Sequence, residues 1–277
     1  MSAPYTVGVP VRDGAATLGA VLAATAAQIP APAEILVCDD GSRDDSARVA
    51  RAAGARVLAQ ARPAGLAVAR NMLLEACRTE YLVFFDADAA PRPGCSAALL
   101  APFADEPIAA VGGRGVEVGA ATFADRWRAR TTPQSHGDAP LDDDWMVMGL
   151  CCAFRVAALR QVGGFDPRFV QCGEDVEISL RLRAARWRLV YRPAAVVEHA
   201  RNDSAWGLLR QAYRHSREAA RALRLHGESP ALLARLAREA LRPALRRDLA
   251  ALDAPAALLT AANLLARRTG LLVGARR

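Results

Sequence analysis

The run Tyr81-Leu-Val-Phe-Phe leads straight into Asp86-Ala87-Asp88 and is closed by Pro91 and Pro93. A stretch with an apolar side chain at every position fits a strand covered on both faces, as in a parallel sheet, better than a half-exposed strand of alternating polarity. Its carboxylates then stand at the carboxyl edge of the sheet, where open α/β sheets bind their ligands. Two acids one residue apart repel each other unless something positive sits between them, and a hard divalent cation carrying phosphate oxygens is the usual solution. An isolated Asp-x-Asp also begins ordinary turns. The buried run before this pair and the prolines after it make it informative.

The preceding chain alternates strand and helix at βαβ spacing. Tyr5–Pro10 reads as a first strand and Leu18–Gln28 as an Ala-rich helix stopped by Pro30 and Pro32. Glu34–Cys38 reads as a second strand that delivers Asp39-Asp40-Gly41-Ser42 to the edge, with Asp44 or Asp45 capping a helix that ends by Ala53. Gly54–Ala59 and Ala67–Cys77 supply the next strand and helix. This order predicts an α/β domain with a mostly parallel central sheet and flanking helices. The turn after the first strand, Val9-Pro10-Val11-Arg12-Asp13-Gly14, lacks the Gly-x-Gly-x-x-Gly of a dinucleotide-binding domain; acids stand at the strand ends instead.

Further along, Ser96–Phe103 reads as a short helix and Ala109–Gly113 as a strand. Residues 126–145, with Pro133, Gly137, Pro140 and Asp142-Asp-Asp144, read as a mobile loop. Arg188–Pro193 and Val196–His199 read as two final strands.

Four segments in order resemble family 2 glycosyltransferases of the GT-A fold: Val7-Gly-Val-Pro10, Glu34 to Ser42 with Asp44, Asp86-Ala87-Asp88, and Gly163-Gly-Phe-Asp166 followed by Gly173-Glu174-Asp175. The resemblance covers residues 5 to about 200. It implies a Rossmann-like nucleotide-binding half in which Pro10, Asp39 and Asp40 lie by the base, Asp86 meets the ribose, and Ala87 and Asp88 face the diphosphate. It further implies that Asp88 holds Mg²⁺ or Mn²⁺. Gly65, Arg70 and Asn71 match the family's Gly-x-x-x-Ala-x-Asn stretch facing the nucleotide, although Arg70 also suits a solvated helix face. Asp175 becomes the catalytic base and Glu174 a residue that positions base or acceptor, while acids in a first helical turn also simply suit the helix dipole. His199, at a strand end, is either a packed residue or a metal ligand. Two departures stand out: Arg12, where the family often has Tyr or Asn, and Arg186, where Gly is common before an aromatic.

Charge divides the chain. Residues 1–200 carry 21 Arg and 23 acids, a net −2, whereas residues 201–277 carry 15 Arg and 6 acids, a net +9; there is no Lys. The sequence therefore predicts a domain over 1–203 and a basic, amphipathic helical extension over 204–277. The split argues against nucleic-acid binding by the main domain and points the tail at an anionic surface such as a membrane. In the helix predicted for Ala205–Leu225, Arg210, Arg214, Arg217, Arg221 and Arg224 share one face, which is either solvated or a contact to phosphate-bearing groups. Leu232–Leu252 continues as a basic amphipathic segment. The apolar run Ala254–Ala266, about 20 Å as helix, falls short of a ~30 Å bilayer core and suits an interfacial helix. Six cysteines without Cys-x-x-Cys, and no signal-peptide pattern, predict a cytoplasmic protein, with peripheral attachment to the inner membrane face as the tail's contribution.

The reading that results is a metal-dependent inverting glycosyltransferase using a nucleotide-sugar donor and a hydroxyl acceptor, with a lipid-linked or cell-envelope glycan as one acceptor class. Oligomeric state is left open. A sugar-phosphate nucleotidyltransferase would call for a Gly- and Lys-rich phosphate loop near the amino terminus, which a Lys-free chain lacks; a non-catalytic nucleotide-sugar binder would have no need of Asp175.

Overall fold

The computed structural model describes residues 3–104, 107–119, 121–200 and 202–276, and the chain forms two compact units. The first, residues 1–116 and 134–200, is built on a sheet of eight strands. In chain order these are β1 (Tyr5–Val11), β2 (Glu34–Asp39), β3 (Arg56–Ala59), β4 (Tyr81–Phe85), β5 (Ala89–Pro91), β6 (Ile108–Val118), β7 (Cys151–Arg155) and β8 (Arg188–Ala200). Their order across the sheet is β3-β2-β1-β4-β7-β6-β8-β5. The β3-β2-β1-β4 half is parallel, as expected; β7 then pairs antiparallel with both β4 and β6, and β5 antiparallel with β8, so the whole sheet is mixed.

The fully buried run of β4 lies in the middle and feeds two cores. Tyr81, Val83 and Phe85 join one cluster, whereas Leu82 and Phe84 join the other, so both faces of the strand are covered. The helices of this unit are α1 (Ala15–Ala26), α2 (Ser46–Ala52), α3 (Leu66–Ala76), α4 (Cys95–Leu100), α6 (Val156–Gln161) and α7 (Glu174–Ala184), α5 belonging to the other unit. Asp44 joins the starts of two helices: one carboxylate oxygen accepts from Ala15 N–H at the start of α1 at 2.9 Å and the other from Ser46 N–H at the start of α2 at 3.0 Å. Arg186, after α7, has φ +67°, the left-handed region where glycine is favoured. That accounts for the glycine common there in the family.

Two expectations are corrected in this unit. Arg188–Ala200 is one continuous strand despite Pro193. The proline lies between the bridge Leu141–Tyr191 and the β5 ladder that begins at Val197. Residues 126–145 are also not one mobile loop. The acids Asp142 and Asp143 pair with Arg192 and Arg183, at 2.8 and 2.5 Å, and Asp144 N–H donates to Leu189 O at 2.8 Å, tying this stretch to α7 and β8.

The second unit comprises residues 117–133 and 201–277, which revises the expected boundary at 203 by adding the segment Glu117–Pro133. That segment contains α5 (Phe123–Thr131), opened by a capping box between Thr122 and Asp125. It packs with α8 (Ala205–Leu225), α9 (Ala231–Ala250) and α10 (Ala254–Gly274). The buried Trp127 of α5 donates to Thr260 Oγ1 at 2.8 Å, and Thr260 donates on to the buried Asp248 at 2.9 Å.

Helix α10 runs through Arg267-Arg268 to Gly274, so the expectation of a run too short for a bilayer, which counted only Ala254–Ala266, is corrected. Its 21 residues span about 31 Å, and it is the one helix among the described residues long and apolar enough to cross a membrane by length and composition. Within this unit it packs closely on α8. A Cβ at Gly270 or Gly274 would run into the carbonyls of Tyr213 and Arg217. The arginine face of α8 is partly neutralised inside the unit, since Glu218 pairs with Arg217 and with Arg221 at 3.2 Å, and Arg224 donates to Gly274 O at 3.4 Å.

Candidate active site

The parallel strands set the site's location. The register of β1 on β2 places Val11 beside Asp39, and Asp40 N–H donates to Val11 O at 2.8 Å, so both acids leave the sheet at its carboxyl edge. Asp39 accepts from Ser42 N–H at 3.0 Å. Asp40 is buried and holds a loop: its carboxylate accepts from Gln60 Nε2 at 2.9 Å, Ala64 N–H at 2.6 Å and Gly65 N–H at 2.9 Å. Gly65 has φ +106°, and a Cβ there would meet the Val170 backbone at 2.8 Å, which explains the glycine.

Because β7 runs antiparallel to β4, its first residue Cys151 pairs with the last residue of β4, Phe85. The approach to β7 is thereby brought alongside Asp86, whose N–H donates to Leu150 O at 3.2 Å. The first turn of α7 meets the same approach segment, with Gly149 N–H donating to Asp175 Oδ2 at 3.3 Å. Asp175 Oδ1 accepts from Val176 N–H at 2.8 Å. On the other side, β8 ends at Asp88: Ala200 N–H donates to Asp88 O at 2.9 Å, and His199 Nε2 lies 3.3 Å from Asp88 Oδ1. His199 is buried and Asp88 is 39% exposed, so the pair opens outward through the carboxylate.

Arg70 is the cation beneath these acids. Its side chain is 1% exposed, which rules out the solvated-face reading. It donates to Gly149 O at 3.0 Å, lies 3.4 Å from Asp86 Oδ1 and 3.7 Å from Glu174 Oε1, and rests over the rings of Phe84 and Phe165. Burial works against the Arg70 charge, but Glu174 and Asp86 outweigh it and hold the guanidinium above its ordinary value. Asn71 faces elsewhere, bonding Phe165 through both N–H and O at 2.7 and 2.8 Å and fixing the Gly163-Gly-Phe segment.

Burial is the largest influence on the two partner acids. It raises Asp86, with Arg70 pulling down and Asp88 pushing up. It raises Glu174 to about 8, with Asp175 adding to the shift and Arg70 opposing it. The shift favours the protonated form of Glu174, which beside Asp175 avoids a second buried negative charge. A carboxyl whose folded value lies above its unfolded one favours the folded state fully below the unfolded value, and that contribution is lost as pH rises through the folded value. We expect wild-type stability, relative to Glu174→Gln, to fall from about pH 4.5 to about 8. Parallel chemical denaturation curves for the two proteins would contradict this.

The cysteines take no part in nucleophilic chemistry. All six are free and buried, and burial pushes Cys38 and Cys152 to about 12, where they remain thiols.

A sheet with strand-end acids, an acid-tipped helix beside them and a buried arginine between defines a GT-A type glycosyltransferase. The chain matches the Glycosyl transferase family 2 model over residues 6–163, more than half its length, and belongs to that family. A pre-mycofactocin glycosyltransferase of Mycobacterium tuberculosis is 33% identical over 203 residues, covering 70% of this chain and 42% of that protein. This chain thus spans less than half of that relative. An uncharacterised glycosyltransferase of Mycobacterium bovis is 33% identical over 197 residues, 67% of this chain and 81% of that protein.

Two solved structures share the fold. The mannosyltransferase PcManGT from Pyrobaculum calidifontis, in complex with GDP-Man and Mn²⁺, superposes with a TM-score of 0.69 at 21% identity over 98% of this chain and 88% of its own. Glucosyl-3-phosphoglycerate synthase of Mycobacterium tuberculosis, in complex with Mn²⁺, UDP and phosphoglyceric acid, gives 0.58 at 22% identity over 80% of this chain and 77% of its own.

Proposed function

We propose that this chain transfers a sugar from a nucleoside-diphosphate sugar to a hydroxyl acceptor with inversion, using a divalent cation at Asp88 and His199 and Asp175 as general base. The observation that carries this reading is the convergence at one strand end: Asp88 is joined to His199, while Asp86 is linked through Leu150 and Gly149 to Asp175.

The donor set fits a cation. Asp88 and His199 offer one carboxylate oxygen and one imidazole nitrogen, and no group of three His, Cys, Asp or Glu forms a closed metal site among the described residues. The remaining coordination positions would thus go to diphosphate oxygens and water, and the imidazole favours a transition ion such as Mn²⁺ over Mg²⁺. When bound, the cation neutralises charge on the departing diphosphate. Both solved neighbours hold Mn²⁺ with a nucleotide or nucleotide sugar, which supports the same use here.

Pro10 and Asp39 line the edge assigned to the base, and Asp86 the place of the ribose, with Ala87 giving the strand end room. Asp40 serves that edge indirectly by holding Ala64 and Gly65. Displacement at an anomeric carbon with inversion requires a base on the face opposite the leaving group. Asp175 suits this: each carboxylate oxygen is oriented by one backbone N–H, which leaves lone pairs for the acceptor proton. A lipid-linked acceptor has narrower support, in a 58-residue match at 43% identity to an N-acetylglucosaminyl-diphospho-decaprenol L-rhamnosyltransferase of Mycobacterium tuberculosis.

The test is nucleotide release from a panel of UDP-, GDP- and dTDP-sugars, with water as acceptor. At least one donor should release nucleotide in Mn²⁺ and stop in EDTA. Release that EDTA leaves untouched would remove the cation from the account.

A further inference from the structure

Helices α9 and α10 enclose a cavity of about 650 Å³, within the range of roughly 300–1,000 Å³ typical of small-molecule sites. Leu264, Leu265, Leu271 and Leu272 of α10, with Ala234 and Ala237 of α9, give it an apolar wall. Four arginines complete the lining, Arg238 and Arg242 from α9 and Arg267 and Arg268 from α10; Arg238, Arg242 and Arg268 are exposed, so their stems border the apolar slot and their charged heads stand at its open rim.

Among the described residues no carboxylate pairs with any of these four. The acids close by are engaged elsewhere, Glu239 with Arg235 at 3.7 Å and Asp248 with Arg247 at 2.9 Å and Arg130 at 3.3 Å. Arg267 donates to the neutral Asn263 Oδ1 at 2.8 Å. Burial, with a smaller push from Arg128, pulls the Arg267 guanidinium down to about 10, still charged at neutral pH. Elsewhere in this unit carboxylates pair with arginines, as Glu218 does with Arg217 and Arg221. The rim of the apolar slot thus gathers four positive charges with no carboxylate among them, a surface an anionic head would complement.

The geometry points to a phosphate-headed lipid as the occupant, its chain along the α10 leucines and its phosphate held by the four arginines. Guanidinium forks match phosphate oxygens. The apolar wall also continues onto the surface. Leu258, Leu265 and Leu272, seven residues apart on α10, are 72%, 64% and 55% exposed, and the last two also line the cavity. A chain entering from a bilayer surface would meet this strip first. Inorganic phosphate would leave the leucines unused, and a neutral amphiphile would leave the arginine charges uncompensated. The glycosyl-transfer reading is not needed for this inference.

The experiment is isothermal titration of the full chain with monododecyl phosphate below its micellar concentration, alongside dodecyl maltoside and inorganic phosphate. Monododecyl phosphate should bind saturably at one site, at least tenfold more tightly than either control. The combined variant Arg238→Gln, Arg242→Gln, Arg268→Gln should weaken it at least tenfold. Arg268→Gln alone, at an exposed position where folding is not at stake, should weaken it several-fold. Equal binding of inorganic phosphate would mean a bare anion site, and equal binding of dodecyl maltoside a bare apolar patch. Undiminished binding by both variants would place the lipid elsewhere. Each of these three results overturns the proposal.

Discussion

Asp88→Ala should lower nucleotide-sugar turnover by roughly 10³-fold or more, the size expected when several kcal/mol of cation-mediated charge stabilisation is lost. The fold should tolerate the change. The backbone bond from Ala200 N–H to Asp88 O survives the substitution, and the carboxylate that is lost is 39% exposed. His199→Ala should act in the same direction, since the imidazole is the second donor 3.3 Å away. Calorimetry separates binding from chemistry: Mn²⁺ should strengthen UDP or GDP binding to wild type and do little for either variant. Asp88→Ala turnover within tenfold of wild type would show that the carboxylate does not hold the cation.

Asp175→Asn should leave donor binding near normal and lower transfer by roughly 10²–10⁴-fold, the range for loss of a positioned general base. The amide keeps the carboxylate's size, and its remaining oxygen can accept from Gly149 N–H or Val176 N–H, so the α7 tip should stay in place. Calorimetric donor affinity and the pre-steady-state rate of transfer check the two halves. Donor affinity falling in step with rate would make Asp175 a donor contact instead of a base.

The parts of the fold that could be read in advance are those where one physical pattern dominates. An unbroken apolar run has few homes other than a doubly covered strand, and β4 occupies that home with side chains in two separate cores. Acids directly after such a strand must emerge at its carboxyl edge, and Asp39 and Asp86 do. Helix α8 was legible to the residue because its charged face repeats at helical spacing and Ser204 caps its start.

What could not be read depended on distant partners. Arg70 on a helix looks the same in sequence whether it faces water or two acids, and only the antiparallel return of β7 brings Gly149 beneath it. Asp40 looked like a ligand contact because nothing local reveals that the loop at Ala64 and Gly65 folds back onto it. The acids at 142–144 resembled a solvated turn until Arg183 and Arg192 came from α7 and β8 to pair with them. The arginine pair in α10 ends the apolar run, yet Arg is a good helix former and the helix continues past it. The signal for the α9–α10 groove was present as basic residues on two successive segments, but whether carboxylates would answer them is a property of the packed unit.

The most direct measurement follows the anomeric proton by NMR during Mn²⁺-dependent hydrolysis of whichever donor the panel identifies, before the freed sugar equilibrates. Direct displacement assisted by Asp175 predicts that the first sugar released has the anomeric configuration opposite to the donor's. First release with the donor's own configuration would contradict the account.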